Sequence, residues 1–114
     1  GIVISHYFTS GIAGRPISST HVGYHLVSKL HCSAIQGHSH LYNCAEQTRP
    51  DGQKIFGLSA GCFSHPKYSE SWCKDTEYLW WRGIVMLEGL DGEGYYDEMR
   101  SITQRKIIRE YGSI

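Results

Sequence analysis

Two histidines one residue apart, His38 and His40, stand in the stretch Gln36-Gly37-His38-Ser39-His40. The apolar run before it, Cys32-Ser33-Ala34-Ile35, reads as a buried strand. Gly37 lets the backbone turn sharply where that strand opens into a loop. Imidazoles placed this way either point at two neighbouring metal ions or clasp one. A His-x-His pair arises often by chance, and hydrogen-bonded loop histidines are the alternative, so its meaning depends on partners elsewhere in the chain. The clearest candidate is His6, which closes a second apolar run, Ile2-Val3-Ile4-Ser5.

Other residues have chemistry to offer, each beside a plainer reading. His21 and His25 share a face of a predicted helix at i, i+4. A zinc-protease helix motif needs Glu between them at position 22, where Val22 stands, so they read as ordinary helix neighbours. His31-Cys32 could complete a structural zinc site, but alternation along a strand puts the two side chains on opposite faces. Cys62 follows a glycine turn without a basic neighbour and reads as a small buried thiol. Arg15 and Tyr7 lie on the loop after His6. An arginine there either neutralises a substrate phosphate by bidentate hydrogen bonds or is a solvated loop residue. Trp72, Trp80 and Trp81 could form a stacking platform for bases. In the absence of a basic groove they read as core and rim packing.

The elements that must position these residues follow from periodicity and breakers. Residues 1–5 form a strand rich in β-branched residues, and a loop with Gly11, Gly14 and Pro16 runs from Tyr7 to Ser18. Ser19 or Thr20 caps a helix from about His21 to Leu30, with Val22, Leu26, Val27 and Leu30 on one face. A strand at 32–36 follows. Leu41–Thr48 and Gln53–Ser59 make a hairpin about Arg49-Pro50-Asp51-Gly52. Residues 63–79 are irregular. Trp80–Leu90 and Tyr95–Ile102 form a second hairpin about Asp91-Gly92-Glu93-Gly94. Gln104–Tyr111 closes the chain as a short amphipathic helix with Ile107 and Ile108 inward. A strand–helix–strand start predicts a parallel pair, and ligands gather at the carboxyl ends of such strands. If the strands ending at His6 and before His38 are neighbours, all three imidazoles meet at one sheet edge.

Composition sets limits on function. The chain has 114 residues and 40% hydrophobic content, enough for one small domain with a real core. Eleven basic residues balance eleven acidic ones, which gives no electrostatic reason to expect nucleic acid or an anionic membrane surface. No apolar run is long enough to span a bilayer, and nothing reads as a signal peptide. Cys32, Cys44, Cys62 and Cys73 form no Cys-x-x-Cys pair and read as reduced, mostly buried thiols of a cytoplasmic protein. The chain starts at Gly1, without Met and already inside an apolar run, so its natural N-terminus is expected upstream.

Ile2-Val3-Ile4-Ser5-His6, some thirty residues, and then Gly37-His38-Ser39-His40 resemble the last two blocks of the calcineurin-like metallophosphoesterases. Phe56-Gly57-Leu58-Ser59-Ala60-Gly61-Cys62 and Trp81-Arg82-Gly83-Ile84-Val85-Met86-Leu87 look like that family's C-terminal sheet, most of all in its bacterial and phage members. The family's Asp-x-His, Gly-Asp-x-x-Asp and Gly-Asn-His-Asp/Glu blocks do not occur in this chain. The resemblance therefore implies that residues 1–114 are a single partial domain, the C-terminal half of an α/β fold of the α/β/β/α sandwich type. That half would run strand–helix–strand, then two β-hairpins and a short helix. It implies two divalent ions (Mn, Fe, Zn or Ni), with His6 and His38 on one and His40 on the other. No catalytic proton donor is present, because the block that carries it is missing. Apart from the resemblance, Arg15 on the loop after His6 is the candidate contact to a substrate phosphate. Tyr95, Tyr96 and Trp81 would border the missing N-terminal half. The parent protein would hydrolyse phosphate mono- or diesters, and this chain alone would be inactive. The alternative is a small non-catalytic α/β binding or structural module with at most one adventitious metal.

Overall fold

The apolar runs pair into two main sheets. The structure, a computed structural model, describes residues 1–10, 14–17, 19–64 and 79–113. Its elements are β1 (Ile2–Ile4), β2 (Thr9–Ser10), β3 (Arg15–Pro16), α1 (Val22–Leu30), β4 (Ser33–Gln36), β5 (Tyr42–Thr48), β6 (Lys54–Ala60), β7 (Gly83–Glu88), β8 (Glu98–Thr103) and α2 (Gln104–Tyr111). The larger sheet has the order β1-β4-β6-β5. β4 runs parallel to both β1 and β6, and β5 is antiparallel to β6. β7 and β8 form a separate antiparallel hairpin, and β2 pairs with β3. The protein is thus a mixed α/β domain with a mixed sheet and a short C-terminal helix.

The strand–helix–strand start makes the parallel pair that its order predicts. α1 buries Val22, Leu26 and Val27, spaced to fall on one helical stripe, against the sheet. Ile17 and Ala34 join Val22 and Leu26 in the core, with Phe8 and Leu30 packed around them. Full burial of each such aliphatic side chain contributes about 1.5–3 kcal/mol. Two glycines let the helix approach this closely. A Cβ on Gly23 or on Gly57 would run into the other residue's backbone oxygen. The Gly23 N–H, which has no partner within the first turn, donates to Asn43 Oδ1 on β5 at 2.8 Å. The opposite sheet face buries Phe56 and Leu58. Tyr96 packs edge-on against Phe56, with ring centroids 5.0 Å apart.

Several boundaries differ from the sequence reading, each for a local reason. The long loop after His6 carries the β2–β3 ladder. The strand expected from Trp80 begins only at Gly83, because residues 80–82 first run past the chain just beyond the end of β6. There Cys62 N–H donates to Trp81 O at 2.8 Å, and Arg82 bridges Cys62 in parallel. Gly61, at φ 71°, is tight against Trp81, whose carbonyl and ring occupy the space a Cβ would need. Tyr95 and Tyr96 lie outside β8. They stack on each other, and both hydroxyls donate to Glu46 Oε1 at 2.7 Å. Ser19 accepts from His21 N–H, and the helix N-cap is His21, without a side-chain cap bond. His31 ends α1 in the left-handed region at φ 54°, so strand alternation does not place it relative to Cys32. α2 has the predicted bounds, with Thr103 capping Lys106 N–H, but its buried residue is Gln104 and Ile108 is exposed. Cys32, Cys44 and Cys62 are free and only half-buried. Trp72, Cys73 and most of the irregular segment lie outside the described residues. Among the described residues no helix is long and apolar enough to cross a membrane.

Candidate functional site

The parallel register of β1 and β4 sets Ile4 beside Ile35, and the two chains stay zipped beyond the strand ends. Ser5 N–H donates to Ile35 O at 3.1 Å. His6 O then accepts from both Gly37 N–H, at 3.2 Å, and His38 N–H, at 2.9 Å. This backbone clasp fixes His6 and His38 side by side at the carboxyl edge of the sheet. His38 Nδ1 lies 3.1 Å from His6 Nε2, and the rings meet nearly at right angles with centroids 5.0 Å apart. Tyr7 closes one flank, with its ring centroid 5.2 Å from that of His38.

His40 is held by a separate set of contacts. Its N–H donates to Gly37 O at 3.2 Å, and its backbone sits at φ 61°. A left-handed backbone disfavours a side chain by about 1–2 kcal/mol and persists only where surroundings enforce it. Here Trp81 N–H donates to His40 O at 2.9 Å, and Trp80 meets the imidazole edge-on at 4.2 Å. A hydroxyl relay pins the turn from beneath. Leu41 O can only accept, so the buried Ser59 hydroxyl donates to it, at 2.6 Å. Ser39 Oγ, 3.0 Å from Ser59 Oγ, must then be the donor in that second bond.

Burial lowers the His40 pKa below its usual 6.5, and the charges of His38, His6 and Arg82 lower it further. Two consequences follow. The shift favours the neutral imidazole, the form that ligates metals. His40 also shares an electrostatic environment with the other two imidazoles, so the three histidines singled out in the sequence belong to one region of the surface.

The spacing suits a metal clasp. Two nitrogens each about 2.0–2.1 Å from one zinc-like ion lie roughly 2.8–3.4 Å apart for angles between about 90° and tetrahedral. The 3.1 Å between His6 Nε2 and His38 Nδ1 falls within that range. No group of three or more His, Cys, Asp or Glu side chains among the described residues is placed to hold one ion. The two rings are hydrogen-bonded to each other, and the same spacing is one that a two-nitrogen clasp would meet once that bond's proton is lost.

The remaining candidates fall elsewhere. His21 and His25 border a surface pocket with Tyr24, Asn43 and Cys44. Burial pushes the Cys44 thiol pKa up, which disfavours the thiolate. Arg15 is exposed on β3. Cys62 Sγ lies 3.7 Å from Ser64 Oγ. Sequence reasoning missed Ser59 and Arg82 and gave Trp80 only a packing role. The one signal for Ser59 was its place on β6, the strand that pairs with β4; nothing in the sequence brings Trp80 forty residues back to His40. No family model, characterised protein or solved structure matches the chain.

Proposed function

We propose that this chain is the metal-binding C-terminal half of a dinuclear phosphoesterase domain of the calcineurin-like type. In this reading His6 and His38 hold one divalent ion and His40 contributes to a second. The observation that carries it is the 3.1 Å apposition of His6 and His38 at the carboxyl end of a parallel strand pair, where open α/β sheets gather ligands. When bound, such ions activate water and neutralise phosphate charge.

This chain's residues supply the scaffold for that chemistry. The His6 carbonyl clasp and the Ser39–Ser59 relay hold the imidazoles in place before any ion arrives, so little ordering cost remains at binding. The depressed His40 pKa favours the neutral ring. Arg15 is the candidate phosphate contact on the neighbouring hairpin. The bridging carboxylate and the proton donor belong to blocks this chain lacks, so its own turnover is expected to be negligible. Calorimetric titration with Mn²⁺ or Zn²⁺ tests the reading. His6→Ala and His38→Ala should each weaken binding at least tenfold, and His21→Ala should leave it unchanged. Equal affinity in all three variants would sink the site.

A second reading is a non-catalytic α/β module. The absence of a third ligand at one point among the described residues favours it. It predicts no ordered uptake of metal by the His6–His38 pair.

A further inference from the structure

The β7–β8 hairpin is a sheet of two strands, and two strands alone are marginal in water. Among the described residues no strand pairs with the outer edge of β8. Glu98, Arg100 and Ser101 are exposed along it, and Met99 and Ile102 are half-buried. An open edge of this kind invites another chain unless its side chains forbid it. On the neighbouring strand Ile84 and Met86 are each 44% exposed, on the face that also carries Glu98 and Arg100.

The register of the hairpin fixes which backbone groups face outward. Gln104 N–H donates to Arg82 O at 2.9 Å, so 82 and 104 form a hydrogen-bonded pair. Alternation makes Ile84–Ile102 and Met86–Arg100 hydrogen-bonded pairs as well. The N–H and C=O groups of Met99 and Ser101 therefore point away from β7. The side chains add a charge pattern. Arg100 Nε lies 3.6 Å from Glu98 Oε1, and its guanidinium also meets Glu88. All three side chains are solvent-exposed, and a guanidinium has five N–H donors, so Arg100 can take a further carboxylate.

We propose that β8 is a self-association edge, on which a second copy of this chain pairs antiparallel about a two-fold axis at Met99. The product is a four-stranded sheet in the order β7-β8-β8-β7. Charge selects the register. With the axis at Met99, Met99 meets its counterpart through both backbone bonds, and each Glu98 lies opposite the other copy's Arg100. With the axis at Arg100 or at Glu98, like charges face each other. With the axis at Ser101, Arg100 lies opposite Ile102. An axis between two residues sets outward backbone groups against inward ones. The Met99 register alone of these satisfies both the backbone and the charges. The match is of β8 to itself, and this makes the occupant a second copy. Eleven basic and eleven acidic residues leave no net repulsion between copies. One strand a side is less than a standard interface, so the dimer is weak, with a Kd in the micromolar-to-millimolar range. The contact needs no metal and does not rest on the phosphoesterase reading.

The test is sedimentation equilibrium of the full chain in EDTA, which removes association through metal shared by surface histidines. The unchanged chain should show a concentration-dependent monomer–dimer equilibrium. Glu98→Arg and Arg100→Glu each set like charges opposite one another at two symmetric places. Each should weaken self-association roughly fourfold or more. An equimolar mixture of these two variants should dimerise more tightly than either alone, because every facing pair is then opposite in sign. The chain carrying both Glu98→Arg and Arg100→Glu keeps the hairpin's composition and should dimerise like the unchanged protein. Circular dichroism checks that each variant folds, and the double variant separates a lost contact from a lost fold. A monomer at every soluble concentration, single variants that associate like the unchanged chain, or a mixture no tighter than its components would overturn the proposal.

Discussion

Ser59→Ala probes how the fold sets the His38–His40 turn. The change removes a fully buried hydroxyl that makes two neutral hydrogen bonds, one donated to Leu41 O and one accepted from Ser39. Each such bond contributes about 1 ± 0.5 kcal/mol. Neither partner is left stranded. Leu41 O still accepts Gly61 N–H at 3.0 Å, and the half-buried Ser39 can turn to water. The expected loss is therefore about 1–2 kcal/mol, a fall of roughly 0.5–1 M in urea midpoint for an m-value of about 2 kcal/mol/M. Gly52→Ala serves as the matched control. Gly52 has φ 89° with open space around it, at the far tip of the β5–β6 hairpin, so its cost is backbone strain of about 1–2 kcal/mol. Both variants should lose similar stability, measured by circular dichroism. Only Ser59→Ala should also weaken zinc binding several-fold in calorimetry. If both variants weaken zinc equally, or Ser59→Ala loses less than about 0.3 kcal/mol, the relay does not position the turn.

Gly61→Ala should destabilise by more than about 3 kcal/mol, since it adds left-handed strain to overpacking against Trp81; an ordinary urea melt with an unchanged midpoint would refute the close approach. The Tyr95–Tyr96–Glu46 cluster gives a pH signature. Burial and the Glu46 carboxylate raise the Tyr95 pKa from 10.0 to about 12, and burial, then Glu46, raises Tyr96 further. A raised folded pKa means the stabilisation is complete below pH 10 and is lost as pH climbs through the folded value. Melting temperature should fall between pH 10 and 12, and Glu46→Gln should flatten that fall. At the acid end, hydrogen bonds from Tyr95 and Tyr96 lower the Glu46 pKa from 4.5. Its contribution is present above that value and disappears as pH drops through the folded pKa, so an acid titration that is identical for Glu46→Gln would contradict the bonds. Manganese-dependent hydrolysis of a model phosphodiester by this chain should be close to background. Turnover at the level of a complete phosphoesterase would contradict the proposal that catalysis needs blocks not found in this sequence.

The strand pair at the heart of the site was legible because its signals are local. Two short apolar runs flanking a helix predict a parallel unit, and a histidine follows each run, so their convergence follows from chain order and handedness. The β5–β6 hairpin was equally plain from Pro50-Asp51-Gly52. Contacts between distant segments were not legible. Trp80 and Trp81 suit a strand as well as the residues that follow, and only the bridge between Arg82 and Cys62 separates this segment from β7. Tyr95 and Tyr96 suit a strand by propensity, but a single carboxylate on β5 draws both out of β8. Ile108 was expected inward but is exposed, and the buried residue of α2 is the polar Gln104, whose amide is matched to two carbonyls that pattern reading does not see.

The central claim is that His6 and His38 clasp one metal ion, and imidazole ¹⁵N resonances during a zinc titration at neutral pH test it most directly. His6 Nε2 and His38 Nδ1 should shift together and saturate at one equivalent, and acidification should reverse both, because protons compete with the metal for the ligand nitrogens. If those two nitrogens stay at their free positions while His21 or His25 shifts, or if they respond at different stoichiometries, the clasp does not exist.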